Sequence, residues 1–172
     1  MSEATDGPDG GSVEIGATDA DLRLWLAKEA VRHGELLLAS QLSNLTAMET
    51  RATALFGWSV PAILVLGAAA LNARYTGPAI AAASLLAGAA VACAYGLWPQ
   101  KWSHAGYDPR EILDEKLTSE LEVLEAMAGG YAEGANLNKA RLDHLAVCLR
   151  FAWACFIASP VAGGIALLVS IR

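Results

Sequence analysis

Reactive side chains are scarce in this chain of 172 residues, which has three histidines, three cysteines and no stretch where they gather. His33, His104 and His144 lie far apart in sequence, so no pair has the spacing of metal ligands. Cys93, Cys148 and Cys155 lack the paired spacing of zinc or redox sites and read as small apolar residues of a helix bundle. There is no glycine-rich phosphate loop and no nucleophile elbow. No catalytic residue, metal site or cofactor is therefore expected, and the chain does not read as an enzyme. Asp143 beside His144 offers a pH-sensitive pair, but a solvated histidine on a helix face is the plainer reading.

Positive charge is missing from the start of the chain. The first nineteen residues carry Glu3, Asp6, Asp9, Glu14 and Asp19 with no Lys or Arg, the opposite of a cleavable signal peptide. Residues 1–17, rich in Gly, Asp and Ser, are expected to form a disordered acidic tail, and the first apolar run is expected to serve as the insertion signal. No basic patch interleaved with aromatics stands outside the apolar runs, so nucleic acid is not an expected partner.

Charge of either sign is missing from three long stretches: Ala52 to Leu71, Ala79 to Trp98 and Phe151 to Val169. Each is about 30 Å long as a helix at about 1.5 Å per residue, which matches the hydrocarbon thickness of a bilayer. A helix in the core of a soluble bundle keeps a polar face, and these have none. With 55% hydrophobic residues overall, the chain is expected to be an all-α integral membrane protein. Its three transmembrane helices would form a two-span hairpin plus a third, with long cytoplasmic juxtamembrane helices.

The charges between the runs set the expected topology. Lys28, Arg32 and Arg51 precede the first run, while Lys101, Arg110, Lys116, Lys139, Arg141 and Arg150 separate the second from the third. Arg74 is the only cation in the turn between the first two. The positive-inside bias then places the N-terminus and residues 99–150 in the cytoplasm of a bacterial inner membrane, in a multi-pass arrangement. Tyr95, Trp98 and Trp102 fit an interfacial aromatic belt, and Arg150 can snorkel to the headgroups.

Thr18 with Asp21 resembles a capping box. It opens an amphipathic helix over residues 18–51, with Leu22, Trp25, Leu26, Leu38, Leu42, Leu45 and Met48 at helical spacing. Residues 52–98 form the hairpin. In residues 99–150, Asp108-Pro109 reads as a helix start. Leu113, Leu117, Leu121 and Leu124 make one apolar stripe, and Leu137, Leu142, Leu145 and Leu149 another. Gly129 and Gly130 mark an expected break or close contact between them, giving two helices or one kinked helix. The third span occupies residues 151–172.

Three groups of residues stand out as candidate sites. Ser84, Gly88, Ala92 and Gly96 recur every four residues, a stripe of small side chains that suits either packing within the chain or homo-oligomerisation. Pro61 and Pro160 sit near mid-span and are hinge candidates, because each removes an amide donor. Asn136, Lys139 and Arg141 lie in the most polar, glycine-containing part of the cytoplasmic segment and are candidates for holding a small anion such as a nucleotide. No span carries an ionisable group, which argues against an ion-coupled transporter.

The order of elements resembles a known family. A juxtamembrane helix ends in ETRATALFGW and a hairpin closes with YGLWPQ. An acidic helix follows, and a stretch of form N-x-x-K-x-x-x-L leads into a last span, with Asn136, Lys139 and, one place early, Leu142. Over Asp19 to Ser170 this layout is similar to the membrane effector domain of Pycsar antiphage systems. The matching residues are Arg51 and Ala52, Pro99, and Asn136 with Lys139. The resemblance implies an oligomeric effector that responds to a cyclic nucleotide, perturbs the inner membrane and arrests growth. Two other readings fit the same residues: a scaffold or accessory subunit binding a protein partner, and a holin-like lysis protein.

Overall fold

The computed structural model describes residues 18–72, 75–104 and 117–171, and all helices among them are α-helices. They are α1 (Asp19–Ala70), α2 (Thr76–Gly96) and α3 (Glu120–Ile171). Each contains a stretch long and apolar enough to cross a membrane, with mean hydropathy of 1.7, 1.8 and 2.0 in turn. The tail over 1–17, the turn cation Arg74, the helix start at Pro109 and the stripe beginning at Leu113 lie outside the described residues.

The long helices start on similar caps. The Thr18 hydroxyl accepts from the Asp21 amide at 3.2 Å, and Asp19 and Asp21 sit at the positive end of the α1 dipole. Before α3, Ser119 accepts from the Glu122 amide at 3.3 Å. The Glu122 carboxylate in turn accepts from the Thr118 amide at 2.8 Å and its hydroxyl at 3.0 Å. Those bonds, the amide first, hold the Glu122 carboxyl below the usual carboxylate range. Between α1 and α2, the Thr76 hydroxyl donates to the carbonyls of Ala70 and Asn72, which α1 leaves without helical partners.

α1 and α3 run parallel, because contacts rise together along both. Arg23 meets Glu125, Gln41 meets Ala135, and Glu49 meets Arg141. α2 runs antiparallel: Ala82 lies by Ser159, Gly88 by Cys155 and Gly96 by Leu145. Burial in α1 repeats every seven residues at Leu38, Leu45, Ala52 and Ser59. Leu24 and Val31, half-buried, extend the row toward the N-terminus. A second row is fully buried at Ala27 and Leu55 and half-buried at Gly34, Gln41 and Met48. Every fully buried position of the first row has a buried counterpart 100 residues later, at Asn138, Leu145, Ala152 and Ser159. Two parallel helices with the same heptad phase have the pattern of a coiled coil.

This narrow seam differs from the broad amphipathic face expected for residues 18–51. Leu38 and Leu45 are buried, but Leu22, Trp25, Leu26 and Leu42 are exposed. One partner helix covers only a stripe of period 3.5, so leucines that follow a wider 3.6-residue face point away from it. The break expected at Gly129 and Gly130 is also absent, because α3 runs through both. Each glycine costs about 1 kcal/mol in a helix interior. Met127 and Tyr131 pack against Leu38 on either side and hold the helix across them.

Candidate functional site

The polar groups that converge in this molecule do so where α2 ends. Gly96 is buried against α3, and a Cβ there would stand 2.9 Å from Leu145 Cδ1 and 3.1 Å from Cys148 Cβ. That close approach brings the chain after Trp98 down along α3. Asn138 then takes hold of Ser103: its Oδ1 accepts from the Ser103 amide at 2.9 Å and its Nδ2 donates to the Ser103 carbonyl at 2.8 Å. Asn138 is wholly buried, and both edges of its carboxamide are satisfied by these bonds. One turn earlier, Gly134 leaves room for the Ser103 side chain to lie against the helix.

Arg141 completes the clamp. It donates to the Gln100 carbonyl at 2.6 Å and to Glu49 Oε1 at 3.1 Å, and its guanidinium lies 5.8 Å from the centre of the Trp102 ring. One side chain thus ties α1, the segment after α2 and α3 together, and it is only 14% exposed. Between that segment and α3 opens a pocket of about 590 Å³, lined by Lys101, Trp102, Leu137, Ala140, Arg141 and His144 together with Gln100 and Ser103. The His144 ring meets Tyr95 edge-on at 5.1 Å and lies 4.0 Å from the Cys148 sulfur; Asp143, its sequence neighbour, is exposed.

The three anion-site candidates do not share a face. Arg141 lines the pocket, whereas Asn136 and Lys139 are exposed. At about 100° per residue, Lys139 is rotated about 200° from Arg141, so the two cannot converge on one ligand from one helix. The small-residue stripe is divided in the same way. Ser84 is exposed and bonds its own Ile80 carbonyl at 2.8 Å, Gly88 and Ala92 are half-buried, and Gly96 is buried. A four-residue step turns about 40° around the helix, which rolls the stripe from the outer surface into the interface. Pro61 and Pro160 lie within unbroken helices. Next to Pro160, Ser159 donates across to the Ala82 carbonyl of α2 at 3.0 Å; Ser59 donates to Leu55 of its own helix at 2.8 Å.

Further from the pocket, the lower seam carries polar atoms as well. Gln41 donates to the Ala135 carbonyl at 3.0 Å, while its Oε1 is buried without a hydrogen-bond partner. Tyr131 is buried against Gly34, where a Cβ would meet the Tyr131 Cβ at 2.8 Å, and its hydroxyl donates to Glu35 at 3.4 Å. Burial, and then the Glu35 charge, push the Tyr131 phenol above its ordinary value.

Asn138, the residue that organises the site, is the one that sequence reasoning missed. Its signal was its place in the row Tyr131, Asn138, Leu145, Ala152 and Ser159, where a polar residue at a seam position must find a partner. Among the described residues, no group of three or more His, Cys, Asp or Glu side chains could hold a metal ion. No family model, curated protein or solved structure matches this chain.

Proposed function

We propose that this chain is a multi-pass membrane effector of a bacterial antiphage system, set in the inner membrane with its N-terminus in the cytoplasm. In this reading a cyclic nucleotide reaches the cytoplasmic halves of α1 and α3, and the spans respond by perturbing the bilayer. The observation that supports it is the heptad seam, which passes without interruption from the charged halves of the two helices into their apolar halves. A shift of one helix against the other below the membrane is then carried into the spans. A ligand that prefers the shifted arrangement moves the population toward it. The buried, unpartnered Gln41 oxygen and the polar Asn138 make the lower seam easier to displace than one built of leucine alone.

Cells expressing the chain with a nucleotide cyclase, and proteoliposomes given a panel of cyclic nucleotides, test this reading. Depolarisation and dye release with at least one nucleotide are expected. Normal potential and intact vesicles under every nucleotide sink it.

A second reading, a non-enzymatic scaffold, draws on Leu22, Trp25, Leu26, Leu36 and Leu37. They leave an apolar surface on α1 outside its apolar half. Stable co-purification of one protein partner, lost in a Leu26→Glu, Leu36→Glu variant, would favour it over the effector.

A further inference from the structure

The pocket beside Arg141 has the composition of an anion site. Lys101 and Arg141 line it, His144 adds a third nitrogen base, and none of the residues that line it is a carboxylate. Glu49 bonds Arg141 but is not among the lining residues. Lys101 is exposed and makes no ion pair among the described residues. Arg141, nearly buried, spends two of its donors on Gln100 and Glu49, and a guanidinium has five. Its partial burial also weakens solvent screening, so its charge is felt more strongly in the pocket than that of a surface arginine. Leu137, Ala140 and the Trp102 ring supply an apolar wall. At about 590 Å³ the space falls within the range of small-molecule sites, roughly 300–1,000 Å³.

Its height matters as much as its charge. Lys101 follows Trp98 by three residues, and Arg141 precedes Phe151 by ten, about 15 Å of helix. The headgroup layer outside the hydrocarbon core is roughly 5–7 Å deep on each side. A long lysine or arginine side chain therefore reaches toward that layer from the pocket, which is also open to the aqueous phase.

We propose that this pocket binds a phosphate monoester. Lys101 and Arg141 meet the phosphate oxygens, and the Leu137, Ala140 and Trp102 wall takes the organic remainder. The phosphate has two sources, a lipid headgroup or a free ester. The inference rests on the reading that the apolar halves cross a bilayer with residues 99–150 on one side. It does not require that a cyclic nucleotide triggers the protein, and binding is measured without reference to membrane potential.

The test uses the full chain in nanodiscs. In one arm the discs are phosphatidylcholine alone and glycerol 3-phosphate is titrated from solution; in the other the discs carry phosphatidic acid. Binding is read by calorimetry in the first arm and by lipid retention in native mass spectrometry in the second. Binding in the first arm assigns a free ester, and selective retention in the second assigns a headgroup. In whichever arm binds, Lys101→Glu is expected to weaken binding about tenfold. It should leave the melting temperature unchanged, because Lys101 holds no other part of the fold. Arg141→Lys keeps the charge but loses the two-pronged clamp, and is expected to bind more weakly than the parent chain. Binding in neither arm, or equal binding by Lys101→Glu and the parent chain, overturns the proposal.

Discussion

The two halves of α1 and α3 solve one packing problem with different residues. Below Thr50 and Arg150 the seam is filled by Leu38, Leu45, Tyr131 and Leu145, and ion pairs such as Arg23 with Glu125 and Lys28 with Glu120 decorate its edges. Above that level the same heptad positions are Ala52, Ser59, Ala152 and Ser159, while Leu64, Val65, Leu168 and Val169 point outward, each about 70% exposed. In water, association is driven by burying large apolar groups, so bulky side chains belong inside. In lipid that drive is absent, and close backbone approach with an occasional interhelical hydrogen bond takes its place. The change of seam chemistry at one level in both helices is what a bilayer boundary there requires. A single seam therefore crosses two solvents.

The largest way to break this contrast is to empty the lower seam. Leu145→Ala is expected to cost about 2–5 kcal/mol, read as a lower denaturation midpoint of the reconstituted protein. Shortening the equivalent upper residues is impossible because they are already small, so the matching test there is enlargement. Ala152→Leu, at a position with no exposed surface, should cost about 1–3 kcal/mol by overpacking. If Leu145→Ala is silent and Ala152→Leu improves stability, the two-solvent seam is wrong.

Asn138→Leu comes next, because it strips the Ser103 amide and carbonyl of their partners at an expected cost of about 1–3 kcal/mol. Hydrogen exchange at Ser103 should rise, while exchange in the upper halves stays unchanged. Ser159→Ala, which removes the bond to Ala82, should cost only about 0.6 kcal/mol, the scale of interhelical hydrogen bonds in membranes.

The smallest effect is a pH dependence confined to the lower half. The Tyr131 phenol lies above its model value of 10.0 in the folded chain, so its contribution is fully present below that pH and is lost as pH rises through the folded value. Stability of the parent chain should decline in that alkaline window, and Tyr131→Phe should remove that part of the decline. Glu122 has the opposite sign: its lowered value gives a contribution present above the model value of 4.5 and lost as pH falls through the folded one. Glu122 is fully exposed, so the change in helix content there should be slight.

The helices themselves were readable from residue types. Uncharged runs of bilayer length need no partner to declare themselves, and Thr18 with Asp21 marked the start of α1 to the residue. The seam was harder to see because its rows change from leucine to alanine to serine, so a search for apolar stripes follows Leu22, Leu26 and Leu42 instead. The clamp was harder still. Asn136, Lys139 and Arg141 look like neighbours in sequence, but helical rotation sends Lys139 to the far side and brings in Lys101 and Trp102, some forty residues away.

By itself the sequence determined three apolar helices, their approximate limits, and the uneven distribution of charge between them. These follow from local composition and from the fixed rise of a helix. Only the tertiary structure decided that α1 and α3 share a register, that Asn138 is an internal clamp, and that Arg141 and Lys101 border one pocket. Those depend on which faces meet, and a face is defined by its partner helix as much as by its own residues.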